Sequence, residues 1–238
     1  MRNIPPFLIL FLTLITLLLS TMEAKDMTIH PLNAKEQHII PIAAFTAKGD
    51  MERLEKALNA GIDVGLSVNE IKEILVQLYA YAGFPRSLNA LNTFKTVLER
   101  REQKGIHDTL GKEATPLSKE MDKDAYGAQV RAELLGQKSI PEPSGYQLFS
   151  PIIDTFLKEH LFADIFARDV LSHQERELVT ISALASMQGV NPELAFHLKV
   201  AMNTGLSKEN MHEFIAVLQK KVGSQESLNA QEVLNTIL

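Results

Sequence analysis

Apolar residues recur along this chain at helical spacing, and short polar boxes open the apolar runs. From Ser172 the sequence reads SHQERELVTISALASMQGVNPELAFHLKVAMNTGL. Ser172 and Glu175 form a capping box, in which each side chain satisfies an amide that the first helical turn leaves unpaired. Leu178, Ile181, Ala185 and Met187 roughly mark an apolar stripe, and Gly189 stops it. Asn191 suits the cap of a second helix and Pro192 its first position. Gly205-Leu206-Ser207 closes that helix and opens the next.

The first half carries a weaker copy of the same pattern. Gly65-Leu66-Ser67 corresponds to Gly205-Leu206-Ser207 at an offset of 140, and Asn33 with Glu36 to Ser172 with Glu175 at 139. A one-residue gap near Lys48 to Asp50 reconciles the two. Ile39, Ile42 and Ala44 then match Leu178, Ile181 and Ala183. Self-similarity of this kind indicates a duplicated helical unit. Two copies are too few for a solenoid, so the pattern predicts a pseudo-twofold pair sharing one core.

Taken in order, residues 34–47, Met51 to Ile62, the run from the Ser67–Glu70 box to about Ala82, and Pro85 to about Glu102 read as helices. Pro41 is an expected kink in the first. Residues 103–147 are charged and Gly/Pro-rich, with one helix around Ala125 to Leu135, and read as a connecting strap over the surface. Leu148 to Leu171 is a long amphipathic helix or a broken pair. The second copy runs to about Lys221, followed by a polar, weakly helical tail. No stretch alternates with period two, so the fold class is all-α. The expected organisation is a signal segment at 1–24, a first unit at 25–102, the connector at 103–147 and a second unit at 148–238.

The signal expectation rests on Arg2, the apolar run Phe7 to Leu19, and a small residue, Ala24, where cleavage fits. It implies an exported protein, periplasmic or secreted, touching the membrane only through that segment. A net charge of −5 gives no basic footprint for nucleic acid. Cysteine is absent, which excludes disulfides, thiolate nucleophiles and Cys-ligated metals. His160, His173 and His212 make no persuasive metal spacing, and no glycine loop for phosphate appears. Neither a metal nor another cofactor is expected.

Candidate chemistry centres on Glu193 and His197, one helical turn apart. The carboxylate would raise the proton affinity of the imidazole and fix its tautomer, giving an acid–base group near neutrality. An incidental surface pair has the same spacing. Arg176 suits bidentate binding of a carboxylate, although a solvated helix start also explains Arg176 and Glu177. Tyr79 and Tyr81 are core or groove aromatics whose phenols can reach a polar group. Arg86, after the Gly-Phe-Pro turn, is a surface charge or an anion contact.

The pieces RELVTISAL, PELAFHLKVAMNTGLS, GLSVNEIKEIL and YAGFPRSLNAL together resemble the carboxymuconolactone decarboxylase family, which includes alkylhydroperoxidase D. They cover both copies. The resemblance implies helical units of the alkylhydroperoxidase D-like type and a homo-oligomer, such as a trimer of these two-copy chains. His197 lies in the second copy, the YAGFP turn in the first, and Ala57 holds the place of His197 in the first copy. One site per chain, built across the copies, is therefore expected. The peroxidase branch uses a Cys-x-x-Cys pair, but Val190 and Glu193 stand seven and four residues before His197 here, so thiol peroxidase chemistry is lost. The decarboxylase branch needs no cysteine. It implies a lyase or isomerase acting on a small carboxylate or lactone, with His197 and Glu193 as the acid–base pair and Arg176, Tyr81 and Arg86 against the substrate. The second reading is an exported binding or structural protein that keeps the scaffold without catalysis.

Overall fold

The computed structural model describes residues 31–238, and among them every regular element is a helix. The first copy comprises α1 (Glu36–Lys48), α2 (Met51–Asp63), α3 (Val68–Gln77), the single turn α4 (Tyr79–Ala82) and α5 (Phe84–Gln103). There follow α6 (Lys123–Leu134), the short α7 (Tyr146–Phe149) and α8 (Pro151–Phe156), and a π-helix (Leu157–Ile165). The second copy comprises α9 (His173–Ala185), α10 (Asn191–Asn203), α11 (Lys208–Lys221) and α12 (Ser224–Asn235). The expected signal segment, 1–24, lies outside the described residues.

The predicted boxes set the helix starts. Ser67 Oγ accepts the Glu70 amide at 3.2 Å while Glu70 accepts the Ser67 amide at 2.6 Å. The Ser172–Glu175 box repeats this, and at Ser207, where only a helix start was expected, Asn210 completes a further box. Gly65 and Gly205 take φ of 99° and 115°, the left-handed region where a side chain would be strained. Pro41 is accommodated inside α1. The helix expected through Ala82 instead ends at Gln77 and resumes as α4, because the backbone tightens at Leu78, where ψ is −14°.

The repeat extends through the core at the offset of 140. Leu54 and Leu194, Leu58 and Leu198, Ile71 and Met211, Ile74 and Phe214, and Ala90 and Ala230 are matched positions, each with 0% exposure. Burying one such leucine stabilises by roughly 1.5–3 kcal/mol. Polar details follow the same register. Ser87 Oγ donates to Leu75 O at 2.7 Å, and Ser227 Oγ to Ile215 O at 3.1 Å.

The copies meet reciprocally. α1 lies against α9, while α3 touches α9 and α11 touches α1. Glu73 accepts from Arg176 at 3.1 Å, and its counterpart Glu213 accepts from Gln37, the counterpart of Arg176, at 3.0 Å. Reciprocal contact is the mark of a twofold arrangement. One hydrophobic core runs through both copies.

The connector is more than a strap. Thr109 and Leu110 carbonyls accept the Val68 and Asn69 amides at 3.0 and 2.9 Å, satisfying two orphan donors at the start of α3. From Lys123 onward the chain folds into a hairpin of α6 against the π-helix. The approach is so close that a Cβ on Gly127 would lie 1.9 Å from the Lys158 carbonyl oxygen. Ion pairs lace the hairpin: Arg131 to Asp154 at 2.5 Å, Lys123 to Asp164 at 2.7 Å and Lys158 to Asp124 at 2.5 Å. Val130, Leu134, Leu161, Phe162, Ile165 and Phe166 form a second small core that rests on Val200 of α10.

Candidate active site

α9 and α10 form an antiparallel pair, and their facing sides bring together residues 20 apart in sequence. His197 on α10 is 9% exposed, and its Nδ1 lies 2.8 Å from Oε2 of Glu177 on α9. Glu177 is fully buried. This contact leaves Nε2 as the free ring nitrogen, with no partner among the described residues.

The partner of His197 is therefore Glu177 rather than Glu193. Glu193 stands exposed in the first turn of α10 and makes no hydrogen bond or ion pair among the described residues. The turn spacing was present, but the imidazole points across to α9. The solvated helix start expected at Arg176 and Glu177 is also corrected, since both side chains have 0% exposure.

Arg176 is spent within the core. It donates to Gln77 Oε1 at 3.0 Å, Glu73 Oε2 at 3.1 Å and the Arg168 carbonyl at 2.6 Å. Arg168 closes over the same Glu73 at 2.6 Å. Burial alone would raise the Glu73 pKa, but the hydrogen bonds from Arg168 and Arg176 outweigh it and hold the carboxyl below its ordinary range. Arg176 is a clamp between the copies and is not placed to meet a ligand.

Tyr81, on α4, sets the edge of its ring against His197 with centroids 5.6 Å apart. Its hydroxyl is buried without a partner in bonding geometry. The neighbouring Thr180 hydroxyl is already engaged, donating to the Arg176 carbonyl and accepting from Gln77, both at 3.0 Å. Burial, and then the charge of Glu177, push the phenol far above its usual range, so it stays neutral and can only donate or accept a hydrogen bond. Glu177 Oε1 is a second buried oxygen without a partner. Orphaned polar atoms inside a protein mark places for water or a ligand.

Two cavities flank this group. A cavity of about 660 Å³ is lined by Tyr81, Arg86, Lys48, Ser186 and Asn191. The Arg86 guanidinium is exposed there and donates to the Ala47 carbonyl. His197 does not line it. His197 instead faces a narrow space of about 10 Å³, bounded by Glu177, Arg131, Leu134, Phe162 and Phe196. That is room for about one water. The roof is the α6–π-helix hairpin, and from it comes Arg131, whose guanidinium is ion-paired with Asp154. Nothing in the sequence marked Arg131, which sits in the connector and is far from His197 along the chain.

The structure thus gathers His197, Glu177, Tyr81 and Arg131. It places Arg86 at the neighbouring cavity, commits Arg176 to the core and leaves Glu193 in solvent. Among the described residues no group of three or more His, Asp or Glu is placed to hold a metal ion.

Residues 17–96 and 153–235 each match the model of the carboxymuconolactone decarboxylase family. A 90-residue stretch is 30% identical to the 4-carboxymuconolactone decarboxylase of Acinetobacter baylyi, covering 37% of this chain and 66% of that protein. A 53-residue stretch is 47% identical to Peroxisomal protein 2 of Saccharomyces cerevisiae, covering 22% of this chain and 18% of that protein. The chain spans less than two thirds of the length of either curated relative. The two family matches together take up more than half of the chain, which belongs to the carboxymuconolactone decarboxylase family.

Proposed function

We propose that this decarboxylase-like family member is a cofactor-free lyase or isomerase that acts on a small carboxylate or lactone through His197. The observation that carries the reading is the buried contact of His197 Nδ1 with Glu177 at 2.8 Å. A carboxylate there holds the ring and fixes the tautomer with a hydrogen on Nδ1, so that Nε2 is the nitrogen that takes up and gives up the catalytic proton. In a decarboxylation the carbon–carboxylate bond breaks and its electron pair passes into a conjugated carbonyl. Nε2–H of His197 then protonates the resulting carbon, and the imidazole recovers its proton from water. The Arg131 guanidinium, already ion-paired with Asp154, meets the substrate through its remaining N–H groups, and the neutral Tyr81 phenol supplies a hydrogen bond. The similarity to a 4-carboxymuconolactone decarboxylase supports this chemistry.

A cavity of about 10 Å³ admits no such substrate, so the hairpin roof must lift during turnover. A π-helix forms part of that roof, and such helices are frequent at functional sites. The same closure favours a second reading, a binding or structural protein on this scaffold without catalysis. We extend both readings with export, from the 1–24 segment, and self-association. Exposed Leu148, Phe149, Ile152 and Phe156, the second of them 92% exposed, support the latter.

The test is turnover of 4-carboxymuconolactone, followed as carbon dioxide release, in the wild type and in His197→Ala and Glu177→Gln. Turnover that falls at least about 100-fold in His197→Ala supports the lyase. Turnover untouched by that change overturns the role of His197. No turnover of this or related lactone carboxylates by the wild type would favour the second reading.

A further inference from the structure

The pseudo-twofold relation gives the His197 site a twin on the first copy. At offsets of 140 and 139, Ala57 stands for His197, His38 for Glu177, Lys221 for Tyr81, Ala60 for Val200 and Lys56 for Phe196. All five first-named residues line one open cavity of about 460 Å³, together with Pro41, Phe45 and Arg53. Two differences open it. Alanine replaces the imidazole, and no part of the α6–π-helix hairpin lines it.

The chemistry of this twin is cationic with an apolar floor. Arg53 lies over the Phe45 ring at 4.8 Å and is neutralised by Asp50 at 2.6 Å. Lys56 is paired with Glu52 at 2.9 Å. Lys221 has no carboxylate among the described residues. Its ammonium reaches only the Gln37 carbonyl at 3.3 Å and His38 Nε2 at 3.2 Å. His38 Nδ1 is held by the Ala34 carbonyl at 2.7 Å, so Nδ1 carries the hydrogen and Nε2 accepts from Lys221. The half-buried Lys221 has its pKa lowered by burial and then by Lys220, as expected of a cation still lacking its counter-charge. The side chains therefore leave about one positive charge uncompensated, beside Pro41, Phe45, Ala57 and Ala60. A cavity of about 150 Å³ already holds benzene, so a six-carbon ring or chain fits.

We propose that this face of the first copy is a second ligand site, which binds a small monocarboxylate with an apolar body. The carboxylate meets Lys221, and the body lies on Phe45, Pro41, Ala57 and Ala60. With alanine at position 57 the site has no counterpart of the His197–Glu177 pair, so it binds its ligand without transforming it.

The probes are benzoate and its neutral analogue benzamide, titrated into the purified full chain by calorimetry and by proton–nitrogen NMR. Benzoate should saturate with a dissociation constant of about 1 mM or tighter, shifting amides of α1, α2 and the end of α11. Benzamide should bind at least about tenfold more weakly, since it forgoes the charge-assisted contact. Lys221→Met should weaken benzoate at least about tenfold, while thermal unfolding stays cooperative. Ala57→Leu, which fills the floor and keeps Lys221, should also abolish the shifts. Benzoate that fails to saturate, binds equally to Lys221→Met, or moves amides only around His197 overturns the proposal.

Discussion

The two copies differ most on their outer faces. Inside, matched positions such as Leu58 and Leu198 are equally buried, and the same serine hydrogen bond recurs in each. Outside, α10 of the second copy carries His197 against Glu177 beneath a hairpin, while α2 of the first carries Ala57 beside an open cationic cavity. Duplication preserved what the shared core requires and left the faces free to diverge. The core is constrained at every methylene by close packing. A surface position answers only to its ligand or its cover.

The reciprocal acids at the seam test this comparison most strongly. Glu73 faces two guanidinium groups, whereas its counterpart Glu213 accepts from the Leu32 amide and the neutral Gln37. Glu73→Ala leaves the charge of Arg176 buried and uncompensated, and should destabilise by about 3–5 kcal/mol. Glu213→Ala removes hydrogen bonds to a single carboxylate and should cost about 1–3 kcal/mol. Urea denaturation midpoints measure both. Equal losses would mean that the seam is electrostatically symmetric, contrary to the contacts.

The two faces should also differ in activity. If the proposed lyase reading holds, loss of the imidazole in His197→Ala lowers turnover by about 100-fold or more, near the low end for a general acid or base. Rebuilding the pair in the first copy, by Ala57→His with His38→Glu, should not restore it, because Arg131 and the roof are missing there. Steady-state rates of the single and triple variants decide this. Restored turnover would show that the histidine–glutamate pair suffices without its cover.

Much of the fold was legible, because helix caps and buried stripes are local signals. Ser67, Ser172 and Ser207 announced three helix starts from sequence alone, and the offset of 140 placed the shared core. The site was less legible because its contacts are not local. The sequence singled out His197, but the i, i+4 rule pointed to Glu193, while the carboxylate that contacts His197 lies on another helix. Arg176 read as a solvated charge or a ligand for a carboxylate. Its role became visible only once Glu73, far away in the first copy, was seen to meet it. Arg131 gave no signal at all, since a charged connector helix looks the same whether it roofs a site or lies on a surface.

The roof itself can be loosened. Any side chain at 127 must push α6 away from the Lys158 carbonyl, so Gly127→Ala should cost about 1–3 kcal/mol through overpacking. The core shared by the copies lies elsewhere and should keep its protection. Hydrogen exchange should therefore rise in α6 and the π-helix and stay low in α1 and α9. Modification of His197 by diethyl pyrocarbonate should accelerate in this variant, while that of the already partly open His38 should not. Unchanged His197 reactivity would show that the hairpin does not gate it.

The smallest effect expected is on acid stability, where two acids at the seam act with opposite signs. Glu73 is held below 4.5 when folded, because its arginine hydrogen bonds outweigh its burial. It binds a proton less readily in the folded state than in the unfolded one. Its contribution is complete above 4.5 and is lost as the pH falls through the depressed folded value. Glu36 is raised above 4.5, first by burial and also by Glu175 and Glu213, against the opposing Asn33 amide hydrogen bond. It binds a proton more readily when folded, so it favours the folded state below 4.5, and that contribution is lost as the pH rises through the raised value. Glu36→Gln should therefore stabilise the protein slightly at neutral pH. It should also remove the gain in stability that Glu36 supplies as the pH falls toward 4.5, a window just above the one in which the Glu73 contribution is lost. Urea midpoints across that window measure the slope. A shallower fall in Glu36→Gln would reverse the sign assigned to this carboxyl, and with it the idea that the crowded acids at the seam repel one another.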